Sequence, residues 1–484
     1  MNTDSDKTTG TLAERLAEKI CGFTQADIAP KSLALSRTAI IDTVAVSLAG
    51  IAEPCCQILL EMPGVAEAPG PCLIFGTVRR TSALDAALIN GVAAHALDYD
   101  DVNQAQSGHH SAPLVAPLFA LGEMRRASGR QVIAAYIIGV ETEIRLARTL
   151  NAVNFHHYDK GWHPTATMGT FGAAAAASHL LGLDRARTAK ALALAASFAS
   201  GIKANFGTMT KPMHVGQCAR NGLFAALAAE RGFESNPGAL EHKQGFLNVY
   251  NGPGLYDPEA MFVNWGSPWE IESDDNGLKQ FACCGSTHPA ISMMLRLVKE
   301  EGLKAEQAKK IEILAHRRRL PHTNNPNPKS PLEAKFSIQY TTARALADGA
   351  VRIADFEGEA FKDPRVQKLL HLTQARPHPD MPDDSPNQFG AEVIVTTHDG
   401  RKLSRRVEQM VCRGGQHAMS NEELWEKFED CGHRALPADM LAPLFDRLKT
   451  LEDAADMTQV TQLLEPRRTP TDAVVHARIR RTRG

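Results

Sequence analysis

The sequence predicts a mainly α protein with an α+β part: a large all-helical domain interrupted by a smaller α+β lid domain. Three observations carry this. From about Leu12 to about Val263 apolar residues recur at helical spacing. Near Asn276 the pattern changes to strand-like alternation between proline-rich loops. From about Met419 the helical pattern returns. The expected bounds are 1–276 and 416–484 for the two parts of the helical domain, and 277–415 for the lid. At 484 residues the chain is long enough for two or three domains.

Each element has its own reason. ALDAALINGVAAHALDY sets Leu84, Leu88 and Val92 on one helical stripe, in a helix expected to carry both His95 and Asp98. GTFGAAAAASHLLGLD, with Gly169 and Gly172 near its start, offers a small-residue surface that lets helices approach closely. VGQCARNGLFAALAAERGF is a further amphipathic helix, stopped by Gly232. In the lid, AKKIEILAHRRR reads as a strand and FSIQYTTARALADG as a helix ended by Gly349. AEVIVTTHDGRKLSRRVE reads as a hairpin turning at Asp399-Gly400. PHTNNPNPKSP and ARPHPDMPDDSPNQ read as loops. Ser420 and Glu423 make a capping box where the helices resume. There is no internal repeat.

Composition narrows the function. A formal charge of −2 argues against a nucleic-acid partner, which asks for a basic excess. Only the tail HARIRRTRG is locally basic, and it reads as a solvated end. The nine cysteines show no zinc-site spacing. The polar start MNTDSDKTTG lacks the order of a signal peptide, and apolar runs such as QVIAAYIIGV are too short to span a bilayer. A cytoplasmic protein with no membrane partner is the expectation. Neither a dinucleotide nor a nucleoside-triphosphate loop is present, and no lysine has a pyridoxal-phosphate context. No cofactor is expected, so side chains must do the chemistry.

Two histidine-rich segments stand out, HALDYDDVNQAQSGHHSAP (His95 to Pro113) and KGWHPTATMGTFG (Lys160 to Gly172). Imidazole is the side chain best matched to moving protons near neutral pH. His95, Asp98, Asp100, Asp101, His109 and His110 admit three readings: an acid–base group oriented by a carboxylate, a metal site, or helix-end capping with solvated polar residues. His163 precedes Pro164, which places it in extended backbone just ahead of a helix N-terminus. That setting suits a carboxylate-bearing reactant, or a histidine that only caps. Lys211 in NFGTMTKPMHVG lies near a helix start, with His214 three residues on. It reads as a point charge for a carboxylate or as a surface lysine. Lys279, Cys284 and His288 share the segment LKQFACCGSTHPAI, where a Cys/His nucleophile is conceivable. Tyr340 in KFSIQY reads as core.

Together, NGVAAHALDYDD, HHSAP, GWHPTATMGTFGAAAAA, KPMHVGQCARNG, QGFLNVY, CCGSTHPAI, AKFSIQY and MSNEELWEKF resemble the MmgE/PrpD family, in family order over nearly the whole chain. That family contains 2-methylcitrate dehydratases, cis-aconitate decarboxylases and an iminodisuccinate epimerase. The resemblance implies a large helical domain with a smaller α+β lid, and a homodimer. It implies catalytic roles for His109, His163, Lys211 and Tyr340, and substrate-binding roles for Asp98, Lys279 and Cys284, with no metal. Two positions depart from the decarboxylase pattern: Val102 stands where a threonine is usual, and Cys284 where a lid histidine is expected.

The function expected is therefore a cofactor-independent lyase acting on a small di- or tricarboxylate, with histidines moving protons next to a carboxylate and Lys211 and Lys279 holding the developing charge. An isomerase or epimerase of an imino- or amino-dicarboxylate is the first alternative. A metal-dependent hydrolase using His95, Asp98, Asp101 and His109 is the second, and a non-catalytic carboxylate-binding protein the third.

Overall fold

The computed structural model describes residues 10–152, 156–381, 388–410 and 412–467. The basic tail and nearly all of the polar start lie outside the described residues. The chain forms two compact units, Met1–Ser273 with Ser420–Gly484, and Asp274–Met419. Their junctions fall a few residues outside the lid expected from the sequence.

In the first unit the helices Ala83–His95, Ala112–Arg125, Gly129–Leu150, Pro164–Leu180 and Thr210–Glu230 pack on one another. Small residues bring three of them into near-backbone contact. A Cβ on Gly216 would sit 2.3 Å from the carbonyl oxygen of Leu88, and one on Gly222 would meet Ala173 at 2.4 Å. The helix Thr210–Glu230 is thereby pressed against both Ala83–His95 and Pro164–Leu180, the helices that end or begin at His95 and His163.

The expected stripe on Ala83–His95 is not an amphipathic face. Every residue of this helix except Leu84 is buried, because neighbours surround it. The helix also stops earlier than expected: it ends at His95, and Asp98 adopts a left-handed φ of 52° in the following loop. His95 and Asp98 do not share a helix face. The unit is not purely helical either, since Cys72–Leu73 and Arg80–Thr81 form a short antiparallel ladder. The helix Pro30–Gly50 corrects another expectation: its 21 residues are long and apolar enough to cross a membrane by length and composition. Yet 72% of its most apolar stretch is buried inside the protein, and its Asp42 pairs with Lys427. It is a core helix here.

The second unit holds a four-stranded sheet, ordered Thr373–Pro377, Ala308–Ala315, Ala391–Thr397, Lys402–Val407. The first pair is parallel and the others antiparallel. The strand from AKKIEILA, the hairpin turning at Asp399-Gly400 and the helix Ile338–Asp348 ended by Gly349 appear as expected. The strand Thr373–Pro377 corrects a loop assignment. It is a short edge strand ending in proline, which a sheet tolerates where no N–H is needed. Part of the same loop, 382–387, lies outside the described residues. Ser420 caps the helix Asn421–Gly432: its Oγ accepts from the Glu423 N–H and the Glu423 carboxylate accepts from the Ser420 N–H.

Candidate active site

His95 closes its helix, and the chain then loops through Asp98, Asp100 and Asp101 before entering Ala112–Arg125. This loop is fastened at several points. Asn103 and Gly108 exchange backbone hydrogen bonds, the Gln106 side-chain amide donates to Glu143, and the His109 N–H donates to the Thr165 hydroxyl. Thr165 lies in the first turn of Pro164–Leu180, so the loop carrying His109 is tied to the helix that His163 caps. Behind the loop, Asp101 accepts from the Ser111 N–H and hydroxyl and contacts His110, while the Ser111 hydroxyl meets Tyr136.

Asp100 is fully buried between two rings. Both its carboxylate oxygens lie 2.9 Å from His95 Nδ1, and Oδ2 lies 3.1 Å from His109 Nδ1. Burial alone would raise its pKa, but His109 and His95 outweigh that and hold it well below the usual carboxylate range. Burial, reinforced by Lys211 and His109 against the pull of Asp100, lowers His95 to about 4. His95 is thus neutral at pH 7, with its proton on Nδ1 facing Asp100. Its buried Nε2 has no hydrogen-bond partner.

On the other edge of His109, Nε2 lies 3.5 Å from Asp98 Oδ1. The same oxygen accepts from the Lys211 ammonium at 2.8 Å. Lys211 is the second residue of its helix, and its Nζ stands 5.4 Å from the centre of the Phe206 ring. His163 is the N-cap of Pro164–Leu180 and is fully buried. Its N–H donates to the Gly201 carbonyl, its ring packs edge-on against Phe206, and its Nδ1 lies 3.1 Å from His214 Nδ1. Burial, then Lys211 and the neighbouring imidazoles, keeps His163 well below the usual histidine range. It too is neutral.

Of the expected site residues, Asp98, His109, His163 and Lys211 converge in the first unit; the ring centres of His95 and His109 are 4.5 Å apart, those of His95 and His163 5.9 Å. Lys279, Cys284 and Tyr340 belong to the second unit. Lys279 and Cys284 are buried there, and the Cys284 N–H donates to the Lys335 carbonyl. Tyr340 is buried, its hydroxyl donating to the Asp355 carbonyl and accepting from Arg344. His288 Nε2 faces the carbonyl of Cys283 at 3.3 Å. From sequence, His95 and Asp100 were only members of a group open to acid–base, metal or capping readings, and His214 had no role. For Asp100 the HALDYDD run itself was the available signal, and for His214 its place one helical turn after Lys211.

One more arrangement is present. His95, Asp98, Asp100 and His109 each offer a ligand atom, all within 4.8 Å of one another. The Lys211 ammonium already occupies Asp98 Oδ1, and the same two imidazoles face Asp100. A divalent cation here would sit against a fixed positive charge.

A helical unit that gathers neutral imidazoles, one buried anionic carboxylate and an ammonium is equipped for proton transfer at an anionic reactant. The chain belongs to the MmgE/PrpD family: the family's N-terminal domain matches residues 14–258 and its C-terminal domain residues 281–445. It is 30% identical to human cis-aconitate decarboxylase over 468 residues, 94% of each chain. It is 26% identical to cis-aconitate decarboxylase of Aspergillus terreus, over 96% of this chain and 97% of that one. It is 24% identical to 2-methylcitrate dehydratase of Salmonella typhimurium, over 81% of this chain and 84% of that one.

Proposed function

We propose that this protein is a lyase acting on a small di- or tricarboxylate such as cis-aconitate or 2-methylcitrate, using side chains alone. The observation that carries the reading is the Lys211 ammonium, 2.8 Å from an Asp98 oxygen that also lies 3.5 Å from His109, and close enough to His163 to disfavour charge on that ring. An ammonium in a largely buried setting stabilises the negative charge that develops at a carbon next to a carboxylate.

The two rings take different parts. His109, backed by Asp100, is the base: the carboxylate lies 3.1 Å from Nδ1, which leaves Nε2 as the nitrogen that takes the proton. His163, neutral and set among an ammonium and other imidazoles, is the acid. In a dehydration, His109 removes the proton next to the carboxylate and His163 protonates the departing hydroxyl. In a decarboxylation, carbon dioxide leaves its electron pair on carbon and His163 supplies the proton. The family relatives support both outcomes, because they include decarboxylases and dehydratases.

The test is purified protein incubated with cis-aconitate, 2-methylcitrate and iminodisuccinate, products followed by mass spectrometry. Loss of carbon dioxide or water from one of them is expected. Solvent deuterium incorporation without loss of either sinks the lyase reading in favour of an epimerase. The metal-hydrolase reading has the His95–Asp98–Asp100–His109 cluster in its favour; activity that dies with a chelator and returns with stoichiometric zinc or manganese establishes it. We also propose a homodimer on the family resemblance, and a monomer in light scattering at micromolar concentration overturns that.

A further inference from the structure

The burial of His163 raises a question of proton supply. A buried acid that gives its proton to a reactant must be reloaded from water, yet its ring is 2% exposed and capped edge-on by Phe206. Among the described residues, its ring's close polar contact is His214, Nδ1 to Nδ1 at 3.1 Å. His214 lies one helical turn after Lys211 and is only half-buried. We propose that His214 is a proton relay, passing protons from solvent to the buried acid His163.

The contact is built rather than incidental. Gly201 touches both residues: its carbonyl accepts the backbone N–H of His163 at 2.9 Å, and a Cβ on it would sit 3.2 Å from Cγ and 3.3 Å from Nδ1 of the His214 ring. Its φ of +121° also suits glycine alone. Any side chain there would press on the His214 ring. The groups facing the pair are few. Lys211 lies on the His214 helix, and His95 and His109 lie beyond His163. Lys211 and burial disfavour charge on either ring of the pair, so both are neutral at rest. Two neutral imidazoles meeting Nδ1 to Nδ1 share one proton, because one nitrogen must donate and the other accept.

The relay assigns that proton to His214. His163 then carries its own proton on Nε2. When that proton goes to the reactant, the Nδ1 proton of His214 crosses to Nδ1 of His163, and His214 Nε2 takes a replacement from water or buffer. No charge is left on the buried ring, and ring rotation or a second exchange restores the starting tautomers. The proposal rests on the lyase reading only for the role of His163 as acid.

Two measurements test it. The first compares His214→Ala and His214→Gln with the wild type, using cis-aconitate at several imidazole concentrations. A fall in kcat of about 10²-fold is expected, the lower end for a proton-transfer group, with KM nearly unchanged. Added imidazole should lift the kcat of His214→Ala in a saturable way and leave the wild type unmoved. Wild-type kcat in both variants, or a loss that small buffers of several sizes leave untouched, overturns the relay. The second needs no variant to be active: solid-state nitrogen-15 spectra of histidine-labelled wild-type protein, with His163 and His214 signals assigned by their loss in glutamine variants. A proton on His163 Nε2 and on His214 Nδ1 is expected. The reverse arrangement at the shared contact overturns the relay. If the wild type turns over no acid, the lyase reading fails and the spectra still decide the proton's place.

Discussion

His109 and His163 present the same ring in opposite surroundings. Behind His109 stands a buried carboxylate, Asp100, held anionic by two imidazoles. Behind His163 stands another neutral ring, His214, and a helix N-terminus. Asp100 offers His109 a charged acceptor, whereas His214 offers His163 a neutral one. On the proposed roles, that difference in partner separates the base from the acid.

Replacing either ring tests the comparison most severely. His109→Gln and His163→Gln are each expected to lower kcat by about 10²–10⁴-fold, the range for one acid–base group; measured turnover within a few fold of wild type in either breaks the assignment. Asp100→Asn sharpens it. This variant is expected to lose about 10²-fold in kcat, while His163-dependent tautomer signals stay put. Wild-type kcat in it would remove Asp100 from the chemistry. Gly216→Ala attacks the frame beneath both rings. With its new Cβ 2.3 Å from the Leu88 carbonyl, a loss of about 1–3 kcal/mol or more is expected in denaturant unfolding.

The smallest effect is on stability against pH. His95 and His157 are each lowered to about 4 in the folded protein, by burial first. The unfolded chain takes up these protons near pH 6.5, before the folded one does. Stability is therefore full above that pH and drains away as the pH falls towards 4. Thermal melts should show the midpoint dropping across this window. His157→Gln should flatten the slope there, and an identical slope in that variant counts against burial as its cause.

Much of this was readable in the chain. Ser420 with Glu423, Gly349 and Asp399-Gly400 announced their caps and turn because those features depend on local chemistry. His163 before Pro164 announced its N-cap for the same reason. The edge strand Thr373–Pro377 escaped because pairing with Ala308–Ala315, rather than its own pattern, makes it a strand. His95 was grouped with Asp98 by helical spacing, yet its partner is Asp100, since the helix ends at His95 and Asp98 turns left-handed. His214 went unassigned because its importance comes from meeting His163 across 51 positions of sequence. Spacing finds neighbours along one element and is blind to those that meet through the fold.

At Gly216 the two helix backbones leave room for little more than a hydrogen atom. Spacers of that size come in no other length, so the gap between the ammonium and the imidazoles has no adjustable shim. A change in the spacing of these groups therefore falls to the connecting loops, Ala96–His110 and Gly201–Met209, and not to the helical frame.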